Sequence, residues 1–600
     1  MPASHFFVQR DSNIVTVCLS VAALFGGALT LSAVPLAPQS GAASTAHYMV
    51  FEIGKLGDIQ AVSHRVVRMA KKLESFGQRK DRSMQPASTS EREGDQVIVR
   101  LVDRSEQTVF ESAVDVPRFV RGEFSTDGTG QIDASASRLA EPESRTFVVR
   151  VPAVEGTRLV LRSESAVTEQ SFDLDGLAVD STLPLASYRP SVEATSPFAR
   201  PGNRINILVM GDGYQTSEQA KFNADAAKML AAFFSSPPYS TYANFFETAT
   251  LFTPSAQSGA KHPAYKSGSV GPPSQPTSCG DPQMQSDPLA GTLVNTAFDG
   301  TFCYANTQRL VGVNFSKVMT AAAAVPDWDK IFLIVNDATY GGAGGSIAVL
   351  STNPDSGTIG VHEFGHSFAG LGDEYADPYP SFQGCSDRNG SRPCNPNVTD
   401  ETAANLIKWS SFIDAATPTP TPGTAGYDGS VGLFEGASYT PTGLYRPQHT
   451  CMMRSLGEPL CAVCAQEIIL RLYRGGAGTP SAGIDNIEPG SESTAPGPVV
   501  MFARVPMTFS VSLLQPAGGP PLSVAWFVNG VLSQSGGASF TFTPPSVGSY
   551  TVSLNTSDAT PLVKRAMAGT SLDHGRTWNV AATFPHETAT SSQSVVRGRG

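Results

Sequence analysis

The segment Val361–Tyr375 contains two histidines in the order His-Glu-x-x-His, and this spacing constrains the local fold more than any other feature of the chain. In an α-helix, residues four positions apart lie on the same face, so His362 and His366 would converge with Glu363 beside them. The apolar run Ser346–Ser351 ends eleven residues before the first histidine. The pattern predicts a strand followed by a helix that presents two imidazoles and a carboxylate on one side.

These residue types are the ones that hold and use a catalytic zinc ion. Zinc lowers the pKa of a bound water toward about 7, and Glu363 would act as the general base that takes its proton. The sequence therefore predicts one catalytic Zn²⁺ bound by His362 and His366. The competing interpretation is a pair of core histidines or a degraded site, but the motif seldom arises by chance in a chain with nine histidines.

A catalytic zinc ion needs a third protein ligand and one open position. Gly370 or Gly372 can end the helix and turn the chain back, which would bring Asp373 toward the metal. We prefer Asp373 as the third ligand. Glu374 and Asp377 follow closely and remain alternatives.

The methionine pair after this region is a candidate for a methionine turn, the turn that lies beneath the zinc in metzincins. The sequence there is Cys451-Met-Met-Arg454. Its distance from the zinc helix leaves room for a substrate-pocket loop. Met453 is the preferred residue, and Met452 is the alternative.

The cysteines predict an oxidised chain. Seven cysteines follow the N-terminal apolar run. Their proximity in sequence suggests one disulfide between Cys279 and Cys303 and another between Cys385 and Cys394. The pair in Cys461-Ala-Val-Cys464 also has the spacing of a redox or structural-zinc motif. With no second Cys-x-x-Cys to complete a zinc site, a disulfide involving Cys451 is expected, with one thiol left over. The seven are Cys279, Cys303, Cys385, Cys394, Cys451, Cys461 and Cys464.

The N-terminus predicts export. The apolar run Ile14–Val34 follows Arg10 and precedes small and proline-rich sequence, as in a secretory signal. The mature chain would then be periplasmic or extracellular. The run is also long enough to span a bilayer, so an uncleaved signal anchor is the alternative. A net charge of −11 argues against a nucleic-acid partner.

The length of 600 residues exceeds the roughly 250–300 that one hydrophobic core supports, so several domains are expected. The predicted fold class is multidomain α/β plus β: a mixed-sheet domain with the His-Glu-x-x-His helix lies between an N-terminal β-sandwich and a C-terminal immunoglobulin-like or PKD-like β-sandwich. The predicted boundaries are 1–40 for the signal peptide, 48–190 for the N-terminal sandwich, 200–478 for the zinc domain, 479–500 for a linker, 501–582 for the C-terminal sandwich and 583–600 for a disordered tail.

Several motifs in a fixed order resemble the IgA-peptidase family of bacterial zinc metallopeptidases over about residues 204–475. The resemblance implies a zincin-type α/β catalytic domain, zinc held by His362, His366 and Asp373, and a β-sandwich before it. It does not imply that immunoglobulin A is the substrate. The motifs are Asn206-Ile-Leu-Val-Met-Gly-Asp-Gly-Tyr214, Tyr340-Gly-Gly-Ala-Gly344, Gly372-Asp-Glu-Tyr375, Gly432-Leu-Phe-Glu-Gly436, Gly443-Leu-Tyr-Arg-Pro447 and Cys451-Met-Met-Arg454.

Three polar side chains between the zinc helix and the methionine turn are candidates for a donor to the transition-state oxyanion. They are Tyr439, Tyr445 and His449. We prefer Tyr445 as a catalytic residue because it lies in the family-like Gly-Leu-Tyr-Arg-Pro run, while packing is the ordinary role of a buried tyrosine.

The leading hypothesis for function is a secreted zinc endopeptidase that acts on protein or peptide substrates. The flanking sandwiches would contact a host protein or a cell surface. Ser346–Ser351, taken as an edge strand, favours peptide because zincins hold extended substrates by strand addition. The alternatives are a non-catalytic adhesion or binding protein with a relict zinc domain, and a zinc amidase or cell-wall hydrolase.

Overall fold

The computed structural model describes twelve stretches of the chain. The predicted signal segment and the tail from residue 585 lie outside them. Within the described stretches, no helix combines the length and apolar character that a membrane crossing requires. The described residues are 44–70, 73, 94–122, 138–163, 169–174, 177, 197–268, 275–377, 384–389, 393–474, 483–564 and 572–584.

The chain divides into two compact units, one comprising Met1–Ile484 with Pro561–Thr570 and the other Asp485–Thr560 with Ser571–Gly600. Each unit is built mainly from β-sheets, and the four α-helices of the described residues all lie in the first. The domain boundaries expected from the sequence remain predictions.

The described residues of the first unit up to Asp173 form nine strands with antiparallel pairing. They are β1 (Ser44–Gly54), β2 (Ile59–Met69), β3 (Gly94–Val102), β4 (Thr108–Pro117), β5 (Val120–Gly122), β6 (Arg138–Ala140), β7 (Ser144–Pro152), β8 (Arg158–Ser163) and β9 (Gln170–Asp173). One sheet has the order β2-β1-β7 and another β4-β3-β8-β9. Phe51, Val99 and Leu161 belong to one apolar cluster that both sheets share. Alternation of apolar residues thus packs the two sheets face to face.

The rest of the first unit combines strands and helices. They are β10 (Ile205–Asp212), α1 (Gln219–Ser235), β11 (Phe246–Leu251), β12 (Ala264–Tyr265), β13 (Ser278–Cys279), α2 (Phe315–Ala322), β14 (Lys330–Val335), β15 (Gly342–Ala343), β16 (Ala348–Ser351), α3 (Ser356–Ala369), β17 (Phe434–Ala437), β18 (Thr440–Arg446) and α4 (Ala462–Arg474).

A mixed five-stranded sheet forms the centre of this region, in the order β11-β10-β14-β16-β15. Neighbouring strands are parallel except for β15, which runs antiparallel to β16. Every residue of β10 is buried, as its continuous apolar sequence predicts for a central strand. The expectation that Ser346–Ser351 forms an edge is wrong, because β15 covers the outer side of β16 and is itself the edge.

An aromatic cluster fixes α3 against this sheet. Phe233 of α1 stacks on Tyr239 at a ring-centroid distance of 4.3 Å and meets Phe332 of β14 at 5.6 Å. The same ring contacts Phe364 of α3 edge-on at 5.0 Å. Because Phe364 directly follows Glu363, this packing sets the rotation of α3 about its axis and so determines which way its histidines face.

Seven strands lie in the part of the second unit that the structure describes. A five-stranded sheet has the order β19-β25-β24-β21-β22, and β20 pairs with β23. Trp526, Trp578 and Phe509 are fully buried in its core. The immunoglobulin-like assignment of this unit remains a prediction. The strands are β19 (Gly497–Phe502), β20 (Met507–Ser510), β21 (Ser523–Val528), β22 (Val531–Ser535), β23 (Ser539–Phe542), β24 (Gly548–Ser557) and β25 (Asp573–Thr583).

Two disulfides join the neighbours that the sequence suggested, Cys279 with Cys303 and Cys385 with Cys394. The expected disulfide involving Cys451 is not formed. Instead Cys451, Cys461 and Cys464 are buried free thiols. The sulfur atoms of these three cysteines lie close to the carboxylate of Glu374.

Replacing Phe233 with alanine should lower the free energy of unfolding of the first unit by about 3–5 kcal/mol, because it removes a fully packed ring. Urea denaturation followed by tryptophan fluorescence measures the change. Leu293→Ala, at a position 60% exposed, is the control and should change stability by less than about 0.5 kcal/mol. Equal midpoints for the two variants would contradict a packing role for the aromatic cluster.

Candidate metal centre

A left-handed turn at the end of α3 brings a carboxylate back to the two histidines. Gly370 has φ +66°, and its N–H donates to the carbonyl of His366 at 3.0 Å. The N–H of Leu371 donates to the carbonyl of Gly365 at 3.3 Å. Glycine adopts this conformation without a Cβ penalty, so the chain reverses here and Asp373 returns along the helix.

The three expected ligands converge. The Nε2 atoms of His362 and His366 lie 2.9 Å apart, and Asp373 Oδ1 is 3.2 Å from each. A tetrahedral zinc ion with bonds of about 2.0–2.1 Å holds its ligand atoms about 3.3 Å apart. The observed spacings of this His–His–Asp cluster therefore fit a zinc-sized cation.

Carbonyl groups orient both imidazoles. His362 Nδ1 lies 3.0 Å from the carbonyl oxygen of Met452, and His366 Nδ1 lies 2.6 Å from that of Leu371. A carbonyl only accepts, so each Nδ1 carries the proton and donates it. Each Nε2 therefore offers a lone pair to the metal position, as in metal-binding histidines fixed by outer hydrogen bonds.

The electrostatics of the cluster favour a neutral His366 beside an ionised Asp373. Burial, opposed by the charge of Asp373, lowers the pKa of His366 to about 4. Burial alone would raise the pKa of Asp373, but its close contacts with His366 and His362 hold that pKa well below its usual value. At neutral pH His366 and Asp373 are therefore in the protonation states that a cation requires.

Glu363 lies beside the ligands, and 2% of it is exposed. Its carboxylate passes so close to Gly344 that a Cβ at that position would overlap Glu363 Oε2. The glycine therefore reserves the space that the carboxylate occupies. This explains one glycine of the Tyr340–Gly344 motif by direct contact.

Part of the N-terminal strand region reaches this site. The N–H of Arg121 in β5 donates to the carbonyl of Gly344 at 3.1 Å, and the N–H of Gly344 donates to the carbonyl of Arg121 at 2.8 Å. The Arg121 guanidinium Nη1 lies 3.7 Å from Asp373 Oδ2. Sequence reasoning missed Arg121, because nothing in its local sequence indicates a contact with so distant a segment of the chain.

A cavity of 170 Å³ opens beside Glu363 and His366. Its walls come from the N-terminal strands, including Phe119, and from the sheet region, including Trp328. Lys330 also lines it, and burial lowers the pKa of that lysine to about 8. The cavity thus joins the two parts of the first unit directly at the cluster.

The Cys451–Arg454 turn lies beneath the helix. Met453 is fully buried, and its Sδ would be 3.1 Å from a Cβ at Gly365. Its carbonyl accepts a hydrogen bond from the N–H of Glu374 at 2.8 Å. The carbonyl of Met452 accepts a hydrogen bond from Nδ1 of His362 at 3.0 Å. Both methionines suggested by the sequence are therefore beside the cluster, one through its side chain and the other through its backbone.

Among the three oxyanion candidates, Tyr439 is the one that touches the cluster. Its hydroxyl donates to Asp373 Oδ2 at 2.6 Å and accepts from the hydroxyl of Tyr375 at 3.0 Å. The preferred Tyr445 instead lies in β18, where its backbone pairs with Thr399. His449 pairs with Asp428 at 2.8 Å.

The two alternative third ligands lie elsewhere. Asp377 is exposed. Glu374 is fully buried but is directed to the three free cysteines, where its Oε1 lies 3.2 Å from Cys464 Sγ. Asp373 is therefore the carboxylate that accompanies the histidines.

Residues 197–271, 269–427 and 423–472 match the family described as IgA Peptidase M64. This region belongs to that family. All members of the His–His–Asp cluster, Glu363 and the Cys451–Arg454 turn lie inside the matched range. Arg121 lies outside it, so part of the wall around the His–His–Asp cluster comes from sequence before the match.

No curated protein matches the chain. Among solved structures, the chain is similar to fibronectin(III)-like modules of Clostridium thermocellum CbhA, at 10% identity over 16% of this chain and 95% of that one. A CARDB domain from Pyrococcus furiosus matches at 17% identity over 15% and 91%. A quinonprotein alcohol dehydrogenase-like protein from Bacteroides thetaiotaomicron matches at 14% identity over 16% and 20%, so this chain spans a fifth of it. Each TM-score is 0.12, too low to define a fold.

Replacing Tyr439 with phenylalanine should weaken zinc binding at the His–His–Asp cluster about 10–100-fold, because Asp373 loses the hydrogen-bond donor that orients it. Competition with a chromophoric chelator measures the affinity. Tyr445→Phe is the matched control and should bind zinc as the parent does. The opposite order of effects would show that Tyr439 does not support the ligand.

Proposed function

We propose that this chain is a secreted zinc endopeptidase whose catalytic centre is the His–His–Asp cluster with Glu363. Membership of a peptidase family supports hydrolysis of peptide bonds. The observation that carries the proposal is the convergence of two Nε2 atoms and one carboxylate oxygen, all buried, beside a second carboxylate. Three ligands leave the open position that distinguishes catalytic from structural zinc sites.

A zinc ion held by His362, His366 and Asp373 would supply Lewis-acid activation of water and of the scissile carbonyl. The chain's own residues do the remaining work. A carboxylate oxygen of Glu363 takes the proton of the attacking water and delivers it to the leaving amine. The carbonyls of Met452 and Leu371 keep both imidazoles in one tautomer, and Tyr439 keeps the aspartate in place.

The cavity beside Glu363 is the proposed site for a side chain of the substrate. Phe119 and Trp328 offer apolar surface to such a side chain. Ser346–Ser351 is an inner strand, so it does not offer a free edge to an extended peptide. The cavity and the family match support a peptide substrate instead.

Export is proposed from the N-terminal apolar run and agrees with the two disulfides, which persist in oxidising compartments. The second compact unit is proposed as an accessory binding module.

Glu363→Gln should reduce kcat for peptide cleavage by about 10²–10⁴-fold while zinc content stays the same, because the amide cannot accept a proton. Cleavage of an unbiased peptide library and metal analysis measure the two quantities. Glu155→Gln, at an exposed position, is the matched control and should cleave normally. Undiminished cleavage by Glu363→Gln would exclude this residue as the base.

Gly344→Ala should also reduce kcat, by about 10²-fold, because the new methyl displaces the Glu363 carboxylate and a shift of about 1 Å has that effect. Circular dichroism and zinc content should match the parent. The control is Gly426→Ala, since a Cβ there meets no atom within 4 Å. Full activity of Gly344→Ala would contradict the close approach of glycine and carboxylate.

A further inference from the structure

A second cluster of metal-binding side chains lies on the other side of the segment that carries Asp373. It consists of Glu374, Cys451, Cys461 and Cys464, whose ligand atoms all lie within 4.8 Å of one another. We propose that these four residues bind a structural zinc ion, separate from the catalytic one. We call them the cysteine–glutamate site.

The distances in the cysteine–glutamate site match a tetrahedral zinc ion. With Zn–S bonds of about 2.3 Å and a Zn–O bond of about 2.1 Å, sulfur atoms lie about 3.8 Å apart and sulfur and oxygen about 3.6 Å apart. Cys451 Sγ and Cys464 Sγ are 3.8 Å apart. Glu374 Oε1 is 3.8 Å from Cys461 Sγ and 3.2 Å from Cys464 Sγ.

The backbone around the sulfurs is arranged as in zinc-binding turns. The N–H of Cys464 donates to Cys461 Sγ at 3.4 Å, and the N–H of Cys461 donates to Cys451 Sγ at 3.3 Å. Such N–H donors stabilise thiolate ligands from outside the first layer of contacts. Cys461 and Cys464 stand at the start of α4, where the positive end of the helix dipole also favours thiolates.

A bound cation would offset the cost of burying these four side chains. All four side chains are buried, and Glu374 Oε2 has no hydrogen-bond partner among the described residues, while Oε1 accepts from Asn397 Nδ2 at 2.8 Å. An ionised carboxylate without a counter-charge is costly in such a place. Cysteine sulfur and carboxylate oxygen together suit zinc, and a set of four protein ligands leaves no open position for water.

A disulfide does not account for the cluster. Three sulfurs form at most one disulfide, which would leave a thiol and the buried Glu374 carboxylate unsatisfied. The structure bonds four other cysteines in pairs but leaves these three as thiols. Zinc satisfies all four groups at once.

The site would hold together two segments that the catalytic centre needs. Glu374 directly follows Asp373, and Cys451 directly precedes Met452 and Met453. A shared ion would fix the third catalytic ligand against the methionine turn, where the N–H of Glu374 already donates to the carbonyl of Met453. The proposed role of the cysteine–glutamate site is therefore structural. Its ion would hold the segment that carries Asp373 against the methionine turn.

The test is the zinc content of the purified full chain saturated with zinc, together with X-ray absorption at the zinc edge. We expect two zinc ions per chain and a sulfur shell at about 2.3 Å beside a nitrogen and oxygen shell at about 2.0–2.1 Å. The double variant Cys461→Ser, Cys464→Ser should hold one zinc ion and lose the sulfur shell.

His366→Ala is the matched control, and its remaining zinc should be bound by sulfur. One zinc ion per parent chain with a sulfur shell would support the cysteine–glutamate site and count against the catalytic one. Absence of a sulfur shell at saturating zinc would overturn the proposal, as would a disulfide between two of the three cysteines in the mass spectrum of the denatured chain. If the double variant does not fold, the absorption spectrum of the parent chain decides.

Discussion

The reversal of the chain at Gly370 is the constraint on which the candidate site depends. A helix alone places two imidazoles on one face but cannot supply a third ligand from the same face without leaving its axis. The left-handed residue ends α3, and the next three residues bring Asp373 against both Nε2 atoms. Most of the other contacts described at the site hold the segment from Gly370 to Asp373, or the residues that it contacts, in position.

Several of those contacts are made by backbone groups. The carbonyl of Leu371 belongs to the reversing segment and orients His366, and the carbonyl of Met453 holds the N–H of Glu374. The turn that contributes Met453 therefore supports both the helix and the loop. These backbone hydrogen bonds add no charge to the buried site, where each unpaired charge would be costly.

The sequence predicted much of this because the relevant patterns are local. The spacing of His362 and His366 follows from helical geometry, the buried strand Lys330–Val335 from its continuous apolar run, and the turn from its glycines. Asp373 could be preferred over its neighbours only through family resemblance and the position of those glycines. Its partner Tyr439 was one of three candidates, since the direction of a side chain in a hairpin depends on register.

The remaining errors come from contacts between distant segments. The sequence offers no second Cys-x-x-Cys to accompany Cys461 and Cys464, and the structure instead brings Cys451 and Glu374 to them from two other segments. The edge strand was misassigned because β15 has only two residues and no alternating pattern. Arg121 escaped notice because only tertiary structure brings it to Gly344.

The pairing of Arg121 with Gly344 has a consequence for where the enzyme begins. The family match starts at residue 197, yet Arg121 from before it pairs with Gly344, next to the edge strand β15, and lines the cavity at Glu363. A chain trimmed to the matched region would keep every metal ligand but would have a wider groove with an unpaired backbone edge. If the cavity selects the substrate as proposed, the cleavage preferences of such a shortened chain would differ from those of the intact chain, because residues on both sides of residue 197 line it.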